Sequence, residues 1–264
     1  FEHPKLGRLM IFDPTQKYTP VGELPGSLQG RKALVAVPDP GPQELVELPV
    51  GDPEANRISR RLELSLDALG NLEASLSERA AGSSADFLRG LSRSLSQEAF
   101  RDYFKRWIAG GAREPSIESI ELQEEEGENA VTLRIAFSSP RFARRIGDSK
   151  LLFSPVFLTR MEWVPPSDEE RTTDYVFGSW VFEEDTTFAF PESYALESKR
   201  DGVAKTGSYL SYDYSSELEG DGRLKIRRVL ASRAERVPPA RYGEVVDFYE
   251  EIARHESAPV VLSK

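Results

Sequence analysis

RISRRLELSLDALGNLEASLSERA, residues 57–80, is the stretch whose reading decides the fold. Ile58, Leu62, Leu64 and Leu66 fall on one side of an alternating pattern, and Leu72, Ala74 and Leu76 resume it after a break. A period of two belongs to a strand with one buried face. Asp67–Asn71, with Gly70-Asn71 at its tip, supplies the reversal, so Arg57–Leu66 and Leu72–Ala80 read as the arms of a β-hairpin.

The same period returns downstream. Ser116–Leu122, Ala130–Ser138, Leu152–Glu162, Tyr175–Glu183, Thr186–Ala189, Gly207–Glu217 and Arg223–Ala231 each read as strands between turn residues. Two stretches differ. Between residues 83 and 109 the spacing is helical: Ser83 or Ser84 can cap a first helix, and Ser96 a second. In the second, Phe100, Tyr103, Phe104, Trp107 and Ile108 form a stripe suited to packing on a sheet, and Gly110-Gly111 ends it. After Pro238-Pro239, the residues Tyr242, Val245, Val246, Phe248, Tyr249 and Ile252 make Ala240–His255 an amphipathic helix. The fold class is therefore mainly β (a β-dominated α+β chain): an antiparallel β-sandwich with a helical insertion and a C-terminal helix.

Upstream of the hairpin, Leu9–Phe12, Lys32–Val37 and Glu44–Leu48 read as short strands in a Pro/Gly-punctuated segment. Pro53–Asn56 is the first plausible boundary, which divides the chain into a short β remnant, 1–52, and a β-sandwich domain, 53–264. The chain enters a strand-like segment at once and without Met, as expected of part of a longer protein.

Composition excludes several functions. The 44 acidic residues outnumber the 34 basic ones, for a net charge of −10, which argues against a nucleic-acid or anionic-membrane surface. There is no cysteine, so disulfides, thiolate metal sites and a thiol nucleophile are all ruled out. With two histidines, a histidine-rich metal site is excluded as well, and no metal or cofactor is expected. No apolar run approaches the roughly 20 residues that span a bilayer.

Asp13 ends a short apolar stretch and is followed by Pro14-Thr15. A carboxylate so placed can hold a histidine imidazole in the tautomer that deprotonates a nucleophile, although Asp-Pro also commonly just terminates a strand. A second candidate site is aromatic. Trp163, Tyr175 and Trp180 lie in a ring-rich stretch with Phe177 and Phe182, which could bind a glycan or peptide if exposed and would be core if not. Glu183-Glu184-Asp185 suggests either paired carboxylates or, more simply, the acidic ends of a hairpin turn.

FDPTQKYTPVGELPGSLQGRKALV, residues 12–35, with ELVELP at 44–49, resembles the end of a bacterial transglutaminase-like (papain-type) domain. Several later features resemble the C-terminal domain of unknown function that follows the core in such multidomain proteins. They are Asn56-Arg57, Arg79, the helical insertion, FAFPES at 188–193 and Pro238-Pro239-Ala240-Arg241-Tyr242. The resemblance implies that Asp13 is the third member of a Cys-His-Asp triad. The triad cysteine would lie upstream, as none is present here, and His3 is a poor match for the base because it stands only ten residues before Asp13. The implied function is that of a non-catalytic accessory region of an exported, extracytoplasmic protein, whose partner is the remainder of the parent polypeptide. The alternative is a β-sandwich module that binds a glycan or peptide through Trp163, Tyr175 and Trp180.

Overall fold

A computed structural model describes residues 2–3, 7–11, 13–36, 43–160, 171–220, 222–233 and 235–264. Its N-terminal part holds β1 (Glu2–His3), β2 (Gly7–Arg8), β3 (Lys32–Ala36) and β4 (Gln43–Glu47). The hairpin follows as β5 (Arg57–Leu66) and β6 (Leu72–Ala81), then α1 (Ser83–Ser94) and α2 (Gln97–Ala109). After these come β7 (Ser116–Glu124), β8 (Ala130–Ser139), β9 (Arg144–Ile146), β10 (Lys150–Phe153), β11 (Tyr175–Val176) and β12 (Trp180–Ala189). The chain continues through β13 (Ala195–Ser198), β14 (Val203–Thr206), β15 (Leu210–Leu218), β16 (Leu224–Ser232) and β17 (Arg236–Val237) to α3 (Tyr242–Glu256) and β18 (Val260–Ser263).

The β5–β6 hairpin forms as its alternation predicts, closed by Asp67, whose carboxylate accepts the backbone N–H groups of Leu69 and Asn71 at 2.8 Å each. Gly70 sits at φ +83°, where a side chain would be strained. The hairpin is the middle of an eight-stranded sheet, ordered β14-β15-β16-β12-β5-β6-β8-β7. Neighbours run antiparallel except β5 and β12, which lie side by side in parallel.

The large sheet buries one face. Leu62, Leu64, Leu72, Leu76, Leu133, Ile135, Phe188, Ile226 and Leu230 point into a single core. Over it lie α1, α2 and α3 together with a smaller sheet, ordered β13-β18-β10-β9. The aromatic stripe of α2 is used for packing, with Phe100, Phe104 and Ile108 buried. Phe153 of the small sheet meets Phe188 of the large one with ring centroids 5.0 Å apart. The opposite face carries exposed Arg61, Glu63, Ser65, Glu73, Ser75 and Ser77, so the two layers are unequal.

Several strand expectations change. Leu9–Ile11 make no strand, and Met10 is 74% exposed; Phe12 lies outside the described residues. The strand expected at Leu152–Glu162 stops at Phe153, ahead of Ser154-Pro155, because proline donates no ladder hydrogen bond. Residues 161 and 162 lie outside the described residues, as does the proline-rich turn 38–42. Glu183-Glu184-Asp185 is neither a turn nor an exposed carboxylate pair but the middle of β12. No described helix is long and apolar enough to cross a membrane.

Candidate functional site

The strand register places one charged residue from each of four adjacent strands in a single row on the buried face. Glu78 of β6 stands opposite Arg60 of β5, Arg60 opposite Glu184 of β12, and Glu184 opposite Arg228 of β16. Side chains directly opposite on one face of a sheet are neighbours, so the row closes into hydrogen bonds. Arg60 Nε donates to Glu78 Oε2 at 2.7 Å, and Arg60 Nη1 donates to Glu184 Oε2 at 3.0 Å. Arg228 Nε donates to Glu184 Oε1 at 2.9 Å, and Arg228 Nη1 donates to Glu256 Oε1, at the end of α3, at 2.8 Å.

Every member of the row is buried. Charges are sustained there only with partners on all sides, and the loop after β10 supplies the remaining acceptors. The carbonyls of Leu158 and Thr159 accept from Arg228, and the Thr159 hydroxyl accepts from Arg60 at 2.9 Å. Thr159 adopts φ +51°, an uncommon conformation for a β-branched residue, and in it both its carbonyl and its hydroxyl face the row. The Phe182 ring lies 5.0 Å from each guanidinium carbon, a cation–π arrangement.

Burial works to raise the Glu184 carboxyl, but Arg228 and Arg60 outweigh it and hold it below the usual carboxylate range. Burial likewise works against the Arg228 charge, and Glu184 and Glu256 more than offset that. Tyr212 donates its hydroxyl to Glu256 at 3.3 Å, and burial pushes neighbouring Tyr214 up to about 12. Saturated ion pairs without solvent access hold elements in place; they do not offer a proton or a nucleophile to a substrate.

The residues singled out from sequence lie elsewhere. Asp13 sits in a turn, and its Oδ1 accepts from the Thr15 backbone N–H at 2.9 Å and the Thr15 hydroxyl at 2.7 Å. These bonds, the hydroxyl's first, hold its carboxyl below the usual value. His3 is buried, with Nε2 3.8 Å from the Glu44 carboxylate. Trp163 lies outside the described residues. Tyr175 is half-buried, its ring 4.8 Å from that of Phe177 and 5.4 Å from that of Tyr242, with the Arg171 guanidinium 5.3 Å away. Trp180 is also half-buried and packs on the core at the start of β12. No group of three or more His, Asp or Glu among the described residues could hold a metal ion.

The row itself was missed from sequence. Its signal was present: Arg60, Glu78, Glu184 and Arg228 each occupy the inward phase of an alternating strand, where an apolar residue belongs.

A crystal structure described as that of "a putative protease from Parabacteroides distasonis ATCC 8503" is similar at a TM-score of 0.34 and 11% identity, over 45% of this chain. This chain spans 24% of that one, and a likeness so slight carries no argument. No curated protein matches the sequence. Residues 149–262, from the small sheet through β12, β16 and α3, match the family DUF3858, a domain of unknown function with a solved structure.

Proposed function

We propose that this chain is the non-catalytic accessory region of an exported bacterial transglutaminase-like protein. Residues 1–52 would close the catalytic core and 53–264 would form a β domain that supports it and positions its partners. Asp13 would serve as the orienting carboxylate of a triad whose cysteine and histidine stand upstream.

One observation carries this reading. β3 and β4 form a two-stranded sheet, in which Leu34 and Leu45 are direct cross-strand partners at 63% and 66% exposure. On its other face Val46 is buried, as is Leu48 just beyond. A two-stranded sheet is marginal alone, and a leucine pair facing water suits a sheet that another layer completes. The Tyr175 ring is engaged with those of Phe177 and Tyr242, so that residue lends no support to the glycan- or peptide-binding alternative.

The test is a protein extended upstream of Phe1. A cysteine and a histidine there, thiol-dependent transamidase or peptidase activity, and its loss in Asp13→Ala are the expected results. An upstream region without that cysteine, or full activity in Asp13→Ala, refutes the proposal.

A further inference from the structure

The loop that leaves Asp13 is fastened to α1 and to the start of β8 through side chains separated widely in sequence. Thr19 Oγ1 donates to Asp86 Oδ2 at 2.7 Å, and the Gly26 N–H donates to Ser83 Oγ at 3.0 Å. Asn129 Nδ2 donates to Glu23 Oε2 at 2.7 Å. The Arg93 guanidinium lies 5.3 Å from the centroid of the Tyr18 ring. Buried Arg89 orders the receiving side, since its Nη1 donates to Asn129 Oδ1 and, at 3.4 Å, to Asp86 Oδ1. Asp86 thus divides its two oxygens, one for its own helix and one for the loop. Asn129 likewise turns its oxygen to Arg89 and its nitrogen to Glu23.

We infer that α1 and Asn129 form a clamp that fixes the loop 17–26, which makes Asp86 and Thr19 positioning residues for Asp13. The inference rests on the functional reading above. Ser83 Oγ, at the start of α1, accepts the Gly26 N–H, while the Ser83 N–H donates to Asn56 Oδ1 at 3.1 Å. The insertion therefore reaches outward to the N-terminal segment as well as inward to the core. With residues 17–26 held, the turn at 13–16 has little freedom, and the direction of the Asp13 carboxylate is set from the domain side.

The experiment is a double-mutant cycle of Thr19→Val and Asp86→Ala in this chain, read by amide hydrogen exchange. Thr19→Val is nearly isosteric and lies off the core, and circular dichroism verifies that both variants fold. Loss of one part-buried hydrogen bond speeds local opening by about three- to tenfold. Each single variant should show that acceleration for amides in 14–28 but not in β5, β6 or β8. The double should add little to either, and Asp86→Asn, which keeps an acceptor for Thr19, should restore most of the protection. Unchanged exchange at 14–28, or fully additive effects, overturns the clamp. In the upstream-extended protein, Thr19→Val should lower kcat with KM unmoved. If kcat holds while Asp13→Ala abolishes activity, the positioning role is refuted. Indifference to Asp13→Ala refutes the functional reading instead, and the exchange data still decide the clamp.

Discussion

Glu184 and Asp185 are consecutive residues of β12, both acidic and both paired with arginines, yet they should differ sharply in what their charge contributes. Glu184 is 4% exposed at the side chain, and its two oxygens take Arg228 at 2.9 Å and Arg60 at 3.0 Å. Asp185, on the opposite face, is 45% exposed and stands 3.4 Å from an Arg227 that is itself 52% exposed. Glu184→Gln keeps shape and removes the charge. It weakens two charge-assisted hydrogen bonds worth about 1.5–3 kcal/mol each, and leaves two buried guanidiniums with less compensation. Arg60 retains Glu78, and Arg228 retains Glu256 and two carbonyls, so the expected cost is near the lower end, about 3 kcal/mol. Asp185→Asn should cost less than about 1 kcal/mol, as exposed pairs do. Urea unfolding of both variants beside the parent gives the comparison directly. If the two substitutions cost the same within about 0.5 kcal/mol, the row is not holding the fold together and the reasoning fails.

The Glu184 carboxyl has a folded-state value below its ordinary 4.5, so its contribution is present above that pH and lost as pH falls through the folded value; acid unfolding should show a steep limb below about pH 5 that flattens in Glu184→Gln. Burial, then Arg200, lowers the His255 imidazole from 6.5, and its Nδ1 is buried with no hydrogen-bond partner among the described residues. A depressed value means stability present above 6.5 and lost as pH falls, so His255→Phe should reduce the decline in urea midpoint between pH 7.5 and 5.5, with the ring contacts to Tyr212 and Tyr214 kept. Gly111→Ala should destabilise by more than about 2 kcal/mol in thermal unfolding, because the new methyl would meet the Phe157 carbonyl, its carbon 2.6 Å away, and backbone cannot rotate aside.

Much of the architecture was legible because it is written locally. The alternation of β5 and β6 and the turn between them need only 25 residues of sequence to read, and Ser96 caps α2 as its position predicts, accepting the Ala99 N–H at 3.2 Å. What failed was non-local. Glu183-Glu184-Asp185 looks like a polar break because its inward member is satisfied by Arg60 and Arg228, which lie 124 and 44 positions away. The strands β9, β13, β14 and β18 have four residues or fewer, too short for a period of two to declare itself. Ser83 was a sound cap candidate, but its hydroxyl is taken by Gly26, 57 positions away. Nor could sequence show that Asp13 spends its acceptor oxygen on Thr15.

The charge row also bears on where the folding unit begins. The matched stretch 149–262 supplies β12, β14, β15 and β16, whereas β5, β6, β7 and β8 come from residues before it. Within the large sheet the two sets of strands join along the parallel β5–β12 edge, and there Arg60 faces Glu184. A slip of one residue along that edge would turn every side chain to the wrong face. A slip of two would keep the faces but set buried Arg60 against Phe182 or Thr186, with Glu184 short of a partner, so the ion pair discriminates where hydrophobic pattern alone would not. Cut at residue 149, the fragment would expose the β12 edge, strip the Leu62–Leu64–Leu133–Ile135 side from the core and leave Glu184 with Arg228 alone. We therefore expect residues 149–264 to lack a cooperative thermal transition, and 53–264 to show one. Cooperative unfolding of 149–264 on its own would mean that the row ties together two independent units instead of completing one.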